Sequence, residues 1–322
     1  MICHPAFIIP SASRSPCHIV DFGRPRSFNA QCVVSSSTRN PLSATSYCRG
    51  YPYRHASEEI NSMVKALIIM ADYGHDPTEV AVPYQAFKDA GFDVNFATET
   101  GKTPRCDSRL LEGISQKLLG AAASVLKIYD AMAKSPEMRN PLSWTSPGFT
   151  LDDFDVVHVP GGHDKEVRQL LDSAAAQKLL ADYFPKTKKP GRKVISAICH
   201  GPLLLCNTKG EDGNSILYHC TTTALPAFFE ASAYHGTKLF LGDYFKTYGA
   251  GSENVETSMR KAVKDPSQFK SSWVPNQPFV VEDTEYNYVS ARFPPDAAKM
   301  AEITVNLVHL VQGFKDDESV NA

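Results

Sequence analysis

The fold of this chain is decided by the stretch Lys193-Val194-Ile195-Ser196-Ala197-Ile198-Cys199-His200-Gly201-Pro202-Leu203-Leu204-Leu205. A short, mostly apolar run leads to a cysteine, and a proline then opens a second apolar run. Proline is tolerated in the first turn of a helix, where its missing backbone donor is not needed. The stretch therefore predicts a buried strand, a sharp turn that carries Cys199, and a helix.

Cys199 is the candidate nucleophile of this turn. Its second neighbours, Ala197 and Gly201, are small, as a tight turn requires, because strand and helix approach closely and the central residue has strained backbone geometry. The free N–H groups and dipole of a helix N-terminus favour thiolate, so we expect a lowered pKa for Cys199. The alternative is a buried structural cysteine after a core strand. The flanking Ala, His, Gly and Pro favour the turn.

Composition narrows the class of protein. A chain of 322 residues with 43% hydrophobic content can bury one large core or two modest ones. A net charge of -2 gives no electrostatic reason to expect a nucleic acid or a membrane surface as partner. No apolar run approaches the roughly 18 residues of a membrane span. The eight cysteines include no C-x-x-C pair, which favours reduced thiols in an intracellular compartment over a zinc knuckle or a disulfide scaffold.

Residues 1–62 differ in composition from the rest of the chain. They contain no lysine, many serines and six arginines, which is typical of an organelle transit peptide. The alternative is that Met63 is the true initiator. We expect this segment to be disordered and outside the fold, with residues 314–322 as a tail. The two alternatives predict a mitochondrial and a cytoplasmic protein, respectively.

Strand-like and helix-like segments alternate after residue 62. The predicted strands are residues 64–70, 92–97, 155–160, 193–198, 216–223 and 285–292. The predicted helices are residues 76–90, 109–132, 164–183, 225–234, 254–264 and 296–311, besides the helix after Cys199. The alternation predicts an α/β fold, a three-layer sandwich with a mostly parallel central sheet and helices on both faces. Residues 107–150 form an insertion. Its apolar stripe predicts core packing, and the alternative is that the insertion, with Trp144, helps to roof the site.

Glu79 has two interpretations. It lies three residues after Asp76 in Asp76-Pro77-Thr78-Glu79, which is the spacing of a capping box, and local sequence favours that structural role. The functional interpretation rests on topology. The carboxyl ends of the first strand and of the Cys199 strand should open on the same edge of a parallel sheet, where sites form.

A glycine turn follows the strand at residues 155–160, in Val159-Pro160-Gly161-Gly162-His163. Glycines at a strand end permit backbone conformations that aim N–H groups into a cleft. A donor from Gly162 or His163, together with the His200 N–H, would form an oxyanion hole. The alternative is a plain turn. The chain has no H-E-x-x-H motif, and His158 and His163 are assigned to strand and turn rather than to a metal.

These motifs resemble the ThiJ/PfpI superfamily, relatives of the Parkinson-disease deglycase with the class I glutamine amidotransferase-like, flavodoxin-like fold. The resemblance covers residues 63–313. It is carried by the elbow Ala197-Ile198-Cys199-His200-Gly201-Pro202, by Glu79-Val80-Ala81-Val82-Pro83 and by Val159-Pro160-Gly161-Gly162-His163. The insertion and the Cys-His-Gly-Pro form are most similar to the heat-shock branch, which includes glutathione-independent glyoxalases.

The resemblance implies roles for individual residues. Cys199 is the nucleophile, Glu79 the carboxyl group that hydrogen-bonds its sulfur, and His200 the adjacent base. Gly161, Gly162, His163 and Gly201 surround the oxyanion and substrate. The branch often supplies an acid that orients the histidine; Glu230 is near that place but displaced from it. Amidotransferase activity is disfavoured, because none of the later histidines His219, His235 and His309 has a glutamate two positions on.

The resemblance implies conversion of methylglyoxal, or a related 2-oxoaldehyde, to a D-lactate-type hydroxy acid. The partner is then a small reactive aldehyde, with no cofactor or metal, and family members are often homodimers. Two alternatives stay open. Cys199 could oxidise to sulfinic acid in a redox sensor or holdase chaperone without turnover, or the elbow could serve another cysteine-dependent reaction, such as peptidase action or isonitrile hydration.

Overall fold

The structure is a computed structural model that describes residues 63–113, 116–117 and 120–313. Its centre is a seven-stranded sheet in the order β3-β2-β1-β4-β5-β7-β6. The strands are β1 (Lys65–Ile69), β2 (Asp93–Thr98), β3 (Leu142–Ser143), β4 (Val156–Val159), β5 (Val194–Ile198), β6 (Val280–Glu282) and β7 (Tyr288–Ala291). Neighbouring strands are parallel, except that β6 is antiparallel to β7 at one edge.

Five strands form the parallel core of the sheet. Their order, β2-β1-β4-β5-β7, is the 2-1-3-4-5 order of flavodoxin-like folds. Every residue of β4, β5 and β7 is buried, as expected of parallel strands covered on both faces. The register pairs Val159 with Ala197 and Ile198 with Ala291. The carboxyl ends of these three strands therefore open on one edge, beside Cys199.

Two groups of helices cover the sheet. The helices are α1 (Pro77–Asp89), α2 (Ser108–Leu111), α3 (Ala123–Met132), α4 (Pro136–Arg139), α5 (Arg168–Leu171), α6 (Ala174–Tyr183), α7 (Pro202–Asn207), α8 (Ala227–Leu241), α9 (Val255–Ala262) and α10 (Ala297–Gln312). Helix α1 packs against α3 and α10, whereas α7 packs against α5, α6 and α9. The predicted three-layer α/β class with a mostly parallel sheet is confirmed.

The strand predicted at residues 216–223 is wrong. This stretch consists mainly of turns, with a single bridge from Thr222 to Phe269. Its threonines favour extended backbone, but β5 pairs directly with β7, so no sheet edge is open beside β5. The edge beyond β7 is instead occupied by β6, which the sequence analysis did not identify.

Two predicted helices are interrupted. Residues 165–167 form a 3-10 turn, and α6 starts anew after Ser173, whose hydroxyl accepts a hydrogen bond from the Ala176 N–H. The helix predicted at residues 109–132 is divided into α2 and α3. The insertion also contributes β3, which pairs with β2 at the sheet edge. Trp144 follows β3, four strands from β5, and is buried there, so the alternative that it roofs the site is wrong.

The predictions for residues 1–62 and 314–322 lie outside the described residues. Within the described part, no helix is both long enough and apolar enough to cross a bilayer.

Candidate active site

Cys199 lies on a strained turn between β5 and α7. Its φ is 62°, and it is the one residue other than glycine with a positive φ in the part of the chain that the structure describes. Left-handed backbone costs a residue with a Cβ about 1–2 kcal/mol. Such strain persists only where the surroundings impose it, and it is concentrated at functional sites. The strand, sharp turn and helix predicted from the sequence are all present.

Close packing around Cys199 explains why Gly161 and Gly201 have no side chain. A Cβ added to Gly201 would lie 2.2 Å from the Val159 carbonyl oxygen. A Cβ added to Gly161 would lie 2.6 Å from the His200 nitrogen and 2.8 Å from a Glu79 carboxyl oxygen. The β4 turn and the elbow therefore touch backbone to backbone, as the small neighbours of Cys199 predict.

The side chain of Glu79, in α1, points toward this contact. Asp76 caps the helix by accepting hydrogen bonds from the Thr78 and Glu79 N–H groups, but its own N–H donates to the Gly161 carbonyl. The reciprocal half of a capping box is therefore missing, and the capping interpretation of Glu79 is wrong. Instead, Glu79 Oε2 accepts a 2.9 Å hydrogen bond from the Gly161 N–H.

The surroundings of the Glu79 carboxyl group favour its protonated form. Burial, followed by the nearby Asp76 carboxyl, raises the pKa of Glu79 well above its usual range. Oε2 accepts the hydrogen bond from the Gly161 N–H. Among the described residues, Oε1 has no hydrogen-bond partner. The carboxyl nevertheless lies close enough to Cys199 to couple their protonation. Because Oε2 accepts the Gly161 N–H, the proton of a neutral Glu79 carboxyl is best placed on Oε1.

The protonation of Cys199 differs from the expectation. Its side chain is 1% exposed, and burial, with Glu79 next, raises the pKa of the Cys199 thiol well above its usual range. The hydrogen bond from the His200 backbone N–H to the sulfur acts in the opposite direction but is the smaller effect. The prediction of a lowered pKa is therefore wrong: the resting sulfur is a thiol that needs a base.

His200 is the side chain placed to act as that base. Its Nδ1 lies 3.5 Å from Cys199 Sγ and its Nε2 lies 3.1 Å from Thr247 Oγ1. The Thr247 hydroxyl has one proton, which it donates to the His163 carbonyl oxygen at 3.1 Å. It must then accept from the Nε2–H, which leaves a lone pair on Nδ1, facing the sulfur. Burial lowers the pKa of His200 well below its usual range, so the ring is neutral.

Glu230 does not orient His200. Its Oε1 accepts a 2.8 Å hydrogen bond from buried Lys246 Nζ, and its Oε2 accepts one from the Val255 N–H at 2.9 Å. Both carboxyl oxygens of Glu230 therefore have other partners. The group that contacts the His200 ring at Nε2 is instead the Thr247 hydroxyl. Thr247 lies between the helices predicted at residues 225–234 and 254–264, and no motif marks it. Only the three-dimensional structure shows that Thr247 contacts His200.

Two of the four residues predicted around the oxyanion donate their backbone N–H groups to other acceptors. The Gly161 N–H donates to Glu79, and the Gly201 N–H donates to the Ile198 carbonyl at 2.8 Å. Gly162 and His163 remain as candidate backbone donors. The His163 ring lies edge-on to the His200 ring, with centroids 4.9 Å apart, and also contacts Phe245.

A cavity of about 280 Å³ opens beside His200. The polar side chains in its lining include His200, Glu230, Thr247, Tyr248, Ser252 and Glu253. The Nε2 side of the His200 ring faces Thr247 in this wall, whereas the sulfur lies at Nδ1. The ring therefore stands between the cavity and Cys199.

Residues 243–248, called the strap below, reach the site through Thr247, which contacts His200. Tyr244 Oη and Tyr248 Oη each donate a 2.6 Å hydrogen bond, to Asp107 and Asp172 respectively. Asp243 pairs with Lys165. Glycines with positive φ, Gly242 and Gly249, flank the strap, so both of its ends have backbone freedom.

Fold and site together define an α/β protein with a cysteine elbow, and the family follows from comparison. The ThiJ/PfpI family-like model matches residues 70–279, so the chain belongs to that family, as its motifs predict.

The chain is similar to several known proteins. An uncharacterised protein of Schizosaccharomyces pombe, C14C4.04, is 30% identical over 246 residues, which cover 76% of this chain and 84% of that protein. The glutathione-independent glyoxalase hsp3102 of the same yeast is 29% identical over 157 residues, 46% of this chain and 58% of that protein. The crystal structure of glyoxalase III from Candida albicans aligns with a TM-score of 0.55 at 20% identity, over 76% of this chain and 97% of that one. This last likeness shows the fold.

Proposed function

We propose that the protein is a cysteine-dependent, glutathione-independent glyoxalase that converts methylglyoxal or a related 2-oxoaldehyde to a hydroxy acid. The observation that carries the proposal is that the Cys199 thiol has a potential proton acceptor, His200, and a potential proton donor, Glu79, as neighbours. The His200 Nδ1 lone pair lies 3.5 Å from the sulfur on one side, and a buried carboxyl that favours its protonated form lies on the other. Two relatives that are 28–29% identical over 45–46% of this chain are glutathione-independent glyoxalases.

The first step forms a carbon–sulfur bond. As Cys199 attacks the aldehyde carbon, its proton passes to His200 Nδ1, and the neutral ring accepts it because Nε2 already holds the other proton. Backbone N–H groups of Gly162 and His163 stabilise the oxygen that becomes negative. The product is a hemithioacetal on Cys199.

The second step moves a proton between two carbons. The C1 proton is removed and returned to C2 through an enediolate, and Glu79 and His200 lie close enough to the sulfur to carry it. This leaves a thioester of the hydroxy acid on Cys199. Water then hydrolyses the thioester and regenerates the thiol. The sum is methylglyoxal plus water to lactate, with no net oxidation.

Access to the sulfur requires the strap to move. Cys199 is almost completely buried, and the His200 ring separates it from the cavity. Displacing the strap would release Thr247 from His200 and Tyr244 from its hydrogen bond to Asp107. We propose that the aldehyde enters while the strap is open and that closure restores the His200 tautomer and excludes water.

The test is lactate formation by the reduced protein in the absence of glutathione. We expect stoichiometric conversion of methylglyoxal to lactate, abolished in Cys199→Ser. A protein that produces no 2-hydroxy acid from any 2-oxoaldehyde, but whose Cys199 gains two oxygens after mild peroxide, would contradict the proposal and favour the redox-sensor alternative.

Thr247 gives a sharper prediction about the base. Thr247→Val removes the hydroxyl at constant size, so neither ring tautomer is preferred and Nδ1 is no longer reserved for the thiol proton. We expect kcat to fall by about 10- to 100-fold with KM nearly unchanged, less than the loss caused by removing a charged partner of a catalytic histidine. Thr247→Ser, which keeps the hydroxyl, should restore kcat. Equal kcat values for the Val and Ser variants would show that Thr247 does not position His200.

A further inference from the structure

Three side chains with soft or borderline donor atoms meet at the elbow. One donor atom each from His163, Cys199 and His200 lies within 4.8 Å of the other two. His163 comes from the glycine turn after β4 and the other two from the elbow after β5, so the pairing of β4 with β5 brings them together. The sequence analysis placed His163 in the turn, beside the oxyanion, and did not assign it to a metal, because the proximity of its ring to Cys199 is set by that pairing.

We propose that Cys199 Sγ, His200 Nδ1 and a ring nitrogen of His163 form a three-ligand site for Zn²⁺, and that bound metal blocks the thiol. A thiolate and two imidazoles are ligands that Zn²⁺ prefers, and three protein ligands leave a fourth position for water. Binding replaces the thiol proton, which goes to solvent, and involves no oxidation or reduction.

The distances fit this assignment. Zn–S and Zn–N bonds of about 2.3 and 2.1 Å in tetrahedral geometry separate sulfur from nitrogen by about 3.6 Å. Cys199 Sγ and His200 Nδ1 are already 3.5 Å apart. The donor atoms of the cluster lie within 4.8 Å of one another, so the widest separation would contract by about 1 Å on binding.

The remaining hydrogen bonds also fit. Imidazoles that bind a metal usually donate their other N–H to a protein acceptor, and the His200 Nε2–H donates to Thr247 Oγ1. On His163, Nδ1 is buried and has no hydrogen-bond partner among the described residues. A buried, unpaired imidazole nitrogen needs a partner, and a cation bound by its two neighbours would be one.

The experiment is a Co²⁺ titration of the reduced, full-length protein, with Zn²⁺ as competitor. Because four further cysteines lie in residues 1–62, the signal is the difference spectrum between wild type and Cys199→Ser. We expect a sulfur-to-cobalt charge-transfer band in the wild type that Zn²⁺ removes. A difference spectrum without this band would overturn the proposal.

Variants identify the other two ligands. His163→Phe keeps a ring against His200 and Phe245 and should weaken Co²⁺ binding at least about 10-fold, while the matched change at exposed His235 should have no effect. Thr247→Val should weaken binding by about 10- to 100-fold through the lost hydrogen bond to His200. Wild-type affinity in either site variant would contradict the assignment. The readout is metal binding, so it is independent of whether the protein turns over methylglyoxal.

Discussion

Cys199→Ser should reduce kcat/KM for methylglyoxal by at least about 10³-fold while leaving the fold intact. Removing the nucleophile of a covalent mechanism usually costs this much or more, because the remaining groups cannot form the intermediate. Serine keeps nearly the same shape, so lost packing does not explain the effect. The measurement is steady-state kinetics beside a thermal unfolding curve. Activity within 10-fold of wild type would contradict the role of the sulfur.

The strain at Cys199 can be measured with a matched pair of inactive variants. Cys199→Ala and Cys199→Gly both remove the thiol, but only alanine keeps a Cβ at a φ of 62°. Relief of left-handed strain favours glycine, and the greater entropy of an unfolded chain with glycine offsets part of the gain. We expect the glycine variant to be more stable than the alanine variant by about 0.5–1 kcal/mol. A less stable glycine variant would show that the turn is not strained.

Gly201→Ala should have the largest effect on stability. Its Cβ would meet the Val159 carbonyl oxygen at 2.2 Å and the Ile198 carbonyl oxygen at 2.9 Å. Both are backbone atoms of the sheet and cannot rotate away, so β5 and α7 must separate. We expect the free energy of unfolding to fall by about 3 kcal/mol or more, with loss of activity in whatever still folds.

The control for Gly201 is the same substitution in open space. A Cβ at Gly236 of α8 meets nothing within 4 Å, and alanine is a better helix former than glycine by up to about 1 kcal/mol. Gly236→Ala should therefore stabilise the protein slightly. Similar unfolding curves for the two variants would contradict the close-packing explanation of the elbow.

The elbow and the parallel core were predictable because their causes are local. A buried parallel strand is a continuous apolar run, and a sharp turn requires small residues beside Cys199. Both features can be read directly from the amino-acid sequence. The strand predicted at residues 216–223 failed because strand propensity does not say whether a sheet edge is available. That was decided by the pairing of β5 with β7.

The chemistry of the site was less predictable, because it depends on burial and on distant segments. Sequence placed Glu79 near the elbow but favoured its capping role, and only the Gly161 N–H shows where its carboxyl points. The helix N-terminus suggested a thiolate, whereas complete burial raises the thiol pKa. Thr247 reaches His200 from a part of the chain with no recognisable motif.

One measurement tests most directly whether the sulfur forms the intermediate: mass analysis of peptides from reduced protein, quenched in acid while it turns over methylglyoxal. The mechanism predicts one methylglyoxal equivalent on the peptide that contains Cys199, absent from Cys199→Ser and from the peptides of buried Cys106 and Cys220. Rapid lactate formation with Cys199 unmodified at every quench time, and undiminished in Cys199→Ser, would contradict it.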